Sequence, residues 1–121
     1  MSLTLTIPAP CDWLNANQRL HWAEKARRVK AWRYAAHIAV LSQRGPRLFD
    51  VPVYITVTIH KPRAGRFDAT NWAPTGKALI DGLVDSGLLE DDDNTRVIGP
   101  DMRAGEKRPE PCVVVRVEAI P

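Results

Sequence analysis

An α/β (α+β) fold is predicted: one compact domain over residues 1–121, in the order β-α-β-α-β-β, with a mixed sheet of about four strands carrying two helices. Three observations carry that reading. Apolar residues alternate with period two in segments at the start, middle and end of the chain. Two longer segments repeat apolar residues near every 3.6 positions instead. Gly, Pro and Asn cluster between these segments, where turns are needed.

Ser2–Pro8 alternates Leu3, Leu5 and Ile7 with polar residues, the pattern of a half-buried strand. Pro8 and Pro10 then block regular pairing and open a loop, PAPCDWLNANQ. Residues 20–42 read as a helix whose stripe is Trp22, Ala26, Val29, Ala36 and Val40, interrupted by Arg33. Asn17 is its expected N-cap, and Gly45-Pro46 its stop. Residues 51–60 form the clearest strand, with Val51, Val53, Ile55, Val57 and Ile59 on one face; Pro52 suggests an edge near its start. A basic loop, KPRAGRFDA, follows.

The second helix is expected from Pro74 or Thr75, because Pro suits a first helical turn, to Ser86-Gly87. Leu79, Ile80, Leu83 and Val84 form its apolar stripe. Gly82 lowers helix propensity by about 1 kcal/mol relative to Ala, which points to close packing. Strands are expected at 95–102 and 113–119 with a turn at 105–111, the pair reading as a hairpin. In the last strand Val113, Val115 and Val117 face one way, Arg116 and Glu118 the other. Strand–helix–strand units favour right-handed crossovers with helices covering the sheet.

The composition, 45% hydrophobic and 26% charged residues, is ordinary for a soluble globular protein. No apolar run approaches the ~20 residues of a membrane span and no signal-peptide pattern is present, so a cytoplasmic protein without membrane contact is expected. Cys11 and Cys112 lack CxxC or CxxH spacing, which argues against a zinc site or disulfide framework and for two buried thiols in a reducing compartment. His21, His37 and His60 also lack ligand spacing.

Charge is spread unevenly over a chain of net charge +3. Eight of the 17 basic residues lie between Arg19 and Arg47, and Lys61, Arg63 and Arg66 cluster in KPRAGRFD. Against this background four of the 14 acidic residues stand together in LLEDDDNT. Like charges ~4 Å apart repel by roughly 1–4 kcal/mol, so a folded site wants something positive there. Asp68 follows the basic loop, Lys77 lies early on the second helix, and Asp91, Asp92 and Asp93 follow that helix. The two acidic places meet only if the long loops fold back toward one edge. If they meet, their hard oxygens suit Mg²⁺, or Mn²⁺ as a substitute, with a substrate phosphate. Such a metal acidifies a bound water and screens the phosphate, and a nearby lysine stabilises the transition state's added charge.

The run FDATNWAPTGKALIDGLVDSGLLEDDDNTRV resembles the RusA family of Holliday junction resolvases, crossover junction endodeoxyribonucleases of phage and prophage type. That family carries a D-x-D-N motif, a helix lysine, an Asp-x-Leu pair, then Gly and a second Asp-Asp. Asp68-Ala-Thr-Asn71 matches the first motif and Lys77 the lysine. Asp81-Gly-Leu83 matches the pair, and Gly87 with Asp91-Asp92 the last element. LNANQRLHW, with Asn15 and Asn17, is similar to the family's polar loop before its first helix. The resemblance implies a homodimeric, Mg²⁺-dependent endonuclease of a bacterial cell that nicks four-way or branched DNA symmetrically during recombination and repair. It makes Asp68 and Asp92 metal ligands with Asp91 beside them, and Lys77 the catalytic cation. Lys61, Arg63, Arg66 and Asn71 are the expected DNA contacts. Two departures stand out. Thr70 replaces the second acid of D-x-D-N, and a longer segment containing Pro74 separates Asn71 from Lys77. Thr70 retains an oxygen there, and Asp93 is available to replace the lost charge.

Each site residue also has a plainer reading. The acidic run can be a solvated loop, Asp68 a cap, and Lys77 and Asp81 a surface pair. Asp81 and Asp85 read as helix-surface or packing residues. Phe67 can wedge between bases or simply pack. Trp22, Trp32 and Trp72 read as core or interface, and Arg27, Arg28 and Lys30 either reach DNA or keep the helix solvated. The rival functions are therefore an inactive DNA-binding protein on the same fold, or a single-stranded nucleic-acid binder using its tryptophans.

Overall fold

Four strands form one mixed sheet: β1 (Ser2–Pro8), β2 (Val53–His60), β3 (Val97–Ala104) and β4 (Cys112–Ala119), in the spatial order β1-β4-β2-β3. The structure, a computed structural model, describes residues 2–43, 49–63, 65, 67–91, 93 and 95–120. Gly45, Pro46 and Arg47 lie outside the described residues, as do Arg66 and Asp92 of the expected site. Helix α1 (Trp22–Gln43) links β1 to β2; a 3-10 turn (Ala69–Trp72) and helix α2 (Ala73–Asp85) link β2 to β3. This is the expected α+β domain of two helices and a four-stranded mixed sheet. Among the described residues no helix is long and apolar enough to cross a membrane.

β4 is antiparallel to both β1 and β2, and β3 is parallel to β2. β1, β2 and β3 therefore share one direction, and both crossovers step the same way across the sheet. Right-handed connections then put both helices on one face and make them parallel. That face holds Leu5, Ile7, Val53, Ile55, Val57, Ile59, Val113, Val115 and Val117, packed against Trp32, Ala36 and Val40 of α1 and Leu79 and Leu83 of α2. The other face carries Thr4, Thr56, Thr58 and Arg116 and is left to solvent.

The last two strands are not a hairpin, because β2 lies between β3 and β4. The connection after β3 crosses the C-terminal end of β2, where Gly105 N–H donates to Ile59 O and Arg108 N–H to Lys61 O. His60 is buried there, its Nδ1 donating to Glu106 O at 2.8 Å. The segment 105–111 is long enough to make this crossing. The interior position seals the all-valine inner face of β4.

Pro52 does not mark an edge either. It precedes β2, an interior strand, and its carbonyl accepts Ile120 N–H. The proline that does report an edge is Pro100 in β3, where the register with β2 shifts between Tyr54 and Thr56.

Helix α1 begins at Trp22 and Asn17 is not its cap. Asn17 N–H bonds the Asn15 side chain, while His21 Nδ1 accepts Ala23 N–H at 3.2 Å. Gly82 does mark close packing: a Cβ there would overlap the Arg33 carbonyl oxygen and approach Ala36 Cβ to 2.8 Å. Arg33 adds a two-pronged ion pair to Asp85 across the same helix contact. At the sheet's free edge, the Gln43 amide donates to Thr6 O at 2.8 Å and accepts Thr6 N–H at 3.1 Å.

Candidate functional site

Asp68 caps the 3-10 turn that leads into α2. Its Oδ1 accepts Thr70 N–H at 3.1 Å and the Thr70 hydroxyl at 2.7 Å. The hydroxyl bond, then the backbone one, holds the Asp68 carboxyl below its ordinary range. The side chain is exposed, and its Oδ2 makes no hydrogen bond among the described residues. One exposed, ionised carboxylate thus stands where the resemblance puts a metal ligand. Thr70, in the place of the family's second acid, is that carboxylate's donor.

Asn71 is half-buried; its N–H donates to Asp68 O, and its carbonyl accepts Ala16 N–H at 2.7 Å. The polar loop before α1 therefore leans directly on the Asp68 turn. Thr75 locks the same junction: its buried hydroxyl donates to Leu14 O and accepts Leu14 N–H. Lys77 lies beyond, on the outer face of α2, and reaches Asp81 Oδ1 at 3.0 Å. The plainer reading of Lys77 and Asp81 as an i,i+4 pair is thus realised, on an exposed part of the helix.

In the basic loop, Lys61 is held by two aromatic rings. Its Nζ sits 4.4 Å from the Phe67 ring centroid and 5.4 Å from that of Trp72, with the two rings edge to face at 5.1 Å. Cation–π contact of this kind is worth about 0.5–1 kcal/mol at exposed sites, enough to bias a long side chain toward one place. Arg63 is exposed on the same loop. Phe67 and Trp72 therefore act as packing residues that hold a cation at the end of the strand preceding the Asp68 turn. The residue types hinted at this, but only the fold of the loop brings them together.

The acidic run is anchored elsewhere. Phe49 N–H donates to Leu88 O and Val53 N–H to Arg96 O, so both ends of the loop are tied at the start of β2. Arg96 pairs with Glu90 at 3.2 Å. Asp93 turns back on itself: its carboxylate accepts from Thr95, which lowers its pKa, and its carbonyl accepts Arg96 and Val97 N–H. Asp91 is exposed. No hydrogen bond or ion pair among the described residues joins Asp68 to Asp91 or Asp93. Nor do the described residues contain a group of three or more His, Cys, Asp or Glu spaced to hold a metal. The expected site residues thus fall in separate places: Asp68 in the turn before α2, and Asp91 and Asp93 in a loop tied at the start of β2.

The tryptophans divide. Trp32 is fully buried, stacked on Trp13 at 5.1 Å, with its indole N–H on Asp12 O. Trp72 is half-buried. Trp22 departs from the core reading and is 77% exposed. Arg27 and Arg28 are paired with Glu24, and Arg28 also reaches Asp12, which favours their plainer reading.

No family model matches this chain, and no curated protein matches it either.

Proposed function

We propose that this chain is a divalent-metal-dependent endonuclease acting on branched DNA as a homodimer. The observation that carries the proposal is Asp68: an exposed carboxylate whose ionised form is favoured by Thr70, in the turn that follows the basic loop of Lys61 and Arg63 and precedes Lys77 on α2. An exposed hard oxygen on a chain segment rich in cations suits a phosphodiester approached together with a hard metal ion.

Asp68 would contribute a carboxylate to a bound Mg²⁺, with the Thr70 oxygen adjacent; the loop carrying Asp91 and Asp93 is tied at the start of β2, a strand's length from Asp68, and supplies no ligand there within one chain. Bound there, the ion would acidify a water and screen the attacked phosphate. The chain's own residues supply the rest. Lys61 and Arg63 contact the DNA backbone and fix its register, which is what phosphate contacts do. Lys77 lies close to the developing negative charge and stabilises it. Two related strands must be cut, and a two-fold dimer presents two equivalent sites to them.

Thr70 also supports a second reading. With a hydroxyl in the acid's place the metal shell loses a charge, and the same surface then describes a DNA-binding protein that does not cut.

A synthetic four-way junction incubated with Mg²⁺, Mn²⁺ or EDTA separates the two. The nuclease reading expects paired nicks with either metal and none with EDTA. Asp68→Asn is expected to abolish cutting while leaving junction affinity within about twofold. Tight binding without nicking in either metal would establish the second reading, and unchanged cutting by Asp68→Asn would remove that residue from the site.

A further inference from the structure

We propose that the groove on α1 headed by Trp22 binds an unpaired nucleic-acid strand, with one base stacked on the indole. The groove holds about 540 Å³ and is lined by Trp22, Lys25, Ala26, Val29, Lys30 and Arg33. Its floor is apolar and its rim cationic. Lys25 and Lys30 make no ion pair among the described residues, whereas Arg33 is committed to Asp85.

Trp22 is exposed over most of its surface, with the tilted His21 ring 5.5 Å away. An indole this exposed forgoes the burial that its size normally secures. The cause is geometric. Pro74, near the start of α2, shares a cleft with Lys25, so the first turn of α1 projects past the beginning of its partner helix.

Charge complementarity selects the occupant. A flat apolar ring beside ammonium groups that face solvent is the combination that binds single strands, where bases offer their faces and phosphates follow the cations. A duplex hides those base faces. Lys25 and Lys30 flank the stripe of Trp22, Ala26, Val29 and Arg33 on its two sides, five residues apart on the helix.

The groove also leads somewhere. Lys25 lines a second cleft of about 170 Å³ with Asn15, Gln18, Arg19 and Pro74. The loop carrying Asn15 and Gln18 is bonded to Asn71 through Ala16, one turn from Asp68. A strand peeled from a branch point could run along this path while the neighbouring phosphate lies at Asp68. The inference rests on the nuclease reading only in taking nucleic acid as the ligand, not on cutting.

The test is a titration of a dye-labelled decathymidylate in EDTA, where cutting is absent in any case, with affinity read from the label's anisotropy and stacking from tryptophan quenching in the wild type. Wild type is expected to be quenched. Trp22→Ala should bind about tenfold more weakly, Trp22→Tyr should retain most affinity, and Lys25→Glu with Lys30→Glu should weaken binding and flatten its salt dependence. Affinity unchanged in Trp22→Ala, with its thermal melt intact, would overturn the proposal. So would an unchanged affinity accompanied by loss of the dimer in sedimentation, which would assign the groove to a second copy. Junction cutting in Mg²⁺ is read separately: binding that depends on Trp22 with no cutting upholds the groove while the nuclease reading fails.

Discussion

Asp101 shows how far two neighbours can bias a surface carboxylate. Arg103 grips it from the same strand at 3.0 and 2.7 Å, and the Tyr54 hydroxyl donates to it from β2. The Arg103 bonds, then the Tyr54 bond, lower its pKa from the ordinary 3.8 to about 2. A carboxylate lowered in the folded state stabilises the fold above its unfolded pKa and loses that contribution as pH falls through the folded one. The melting midpoint should therefore drop more steeply between about pH 4 and pH 2 in the wild type than in Asp101→Asn. Circular-dichroism melts over that range check it, and parallel slopes would show the interactions to be fully screened. The same logic holds the Asp68 carboxyl below its ordinary range through its two bonds from Thr70. The capping role of Asp68 was legible in the sequence because an Asp followed by Ala-Thr-Asn bonds locally. The Lys61, Phe67 and Trp72 cluster was not, since it joins a strand end to a later turn.

Between elements, the α1–α2 packing is set by backbone approach at Gly82. Any Cβ there meets the Arg33 carbonyl, and a helix backbone yields less readily than a side chain. Gly82→Ala would add about 1 kcal/mol of helix propensity, yet overpacking costs typically 1–3 kcal/mol. A net loss of stability is expected, read as a melting midpoint lowered by several degrees; a raised midpoint would show that the helices can slide apart freely. The sequence announced this close approach because a glycine inside an otherwise apolar helix needs a reason. It announced the strands too, whose alternation depends only on which face is buried. Strand order is a different matter. Alternation does not record neighbours, so β4 slotting between β1 and β2 could not be read from it. Likewise the 3.6-residue stripe of α1 includes Trp22, but periodicity cannot reveal where a partner helix begins.

For the molecule as a whole, a net charge of +3 is small, and its distribution matters more. The helix side carries Arg19, Lys25 and Lys30, and the loop after β2 carries Lys61 and Arg63. Junction affinity should therefore fall steeply with salt, with a slope near −0.9 in log–log form for each phosphate neutralised. Reversing Lys61 and Arg63 to Glu should flatten that slope by about one unit for each phosphate no longer neutralised. A slope unchanged by both reversals would place the DNA on another face. The candidate residues could be picked out by type, acids, lysine and basic loop, but their disposition could not: the acidic loop is tied to the start of β2 by anchors such as Phe49 to Leu88, which no local pattern records.

Gln43 has a consequence for assembly. By occupying both hydrogen-bonding positions of Thr6, one side-chain amide stands in for the backbone of a neighbouring strand, and the sheet is closed to growth midway along its outer rim. Two copies cannot zip together through that rim without first evicting the amide. A dimer of this chain, if it forms, is therefore expected to use a different surface of the molecule.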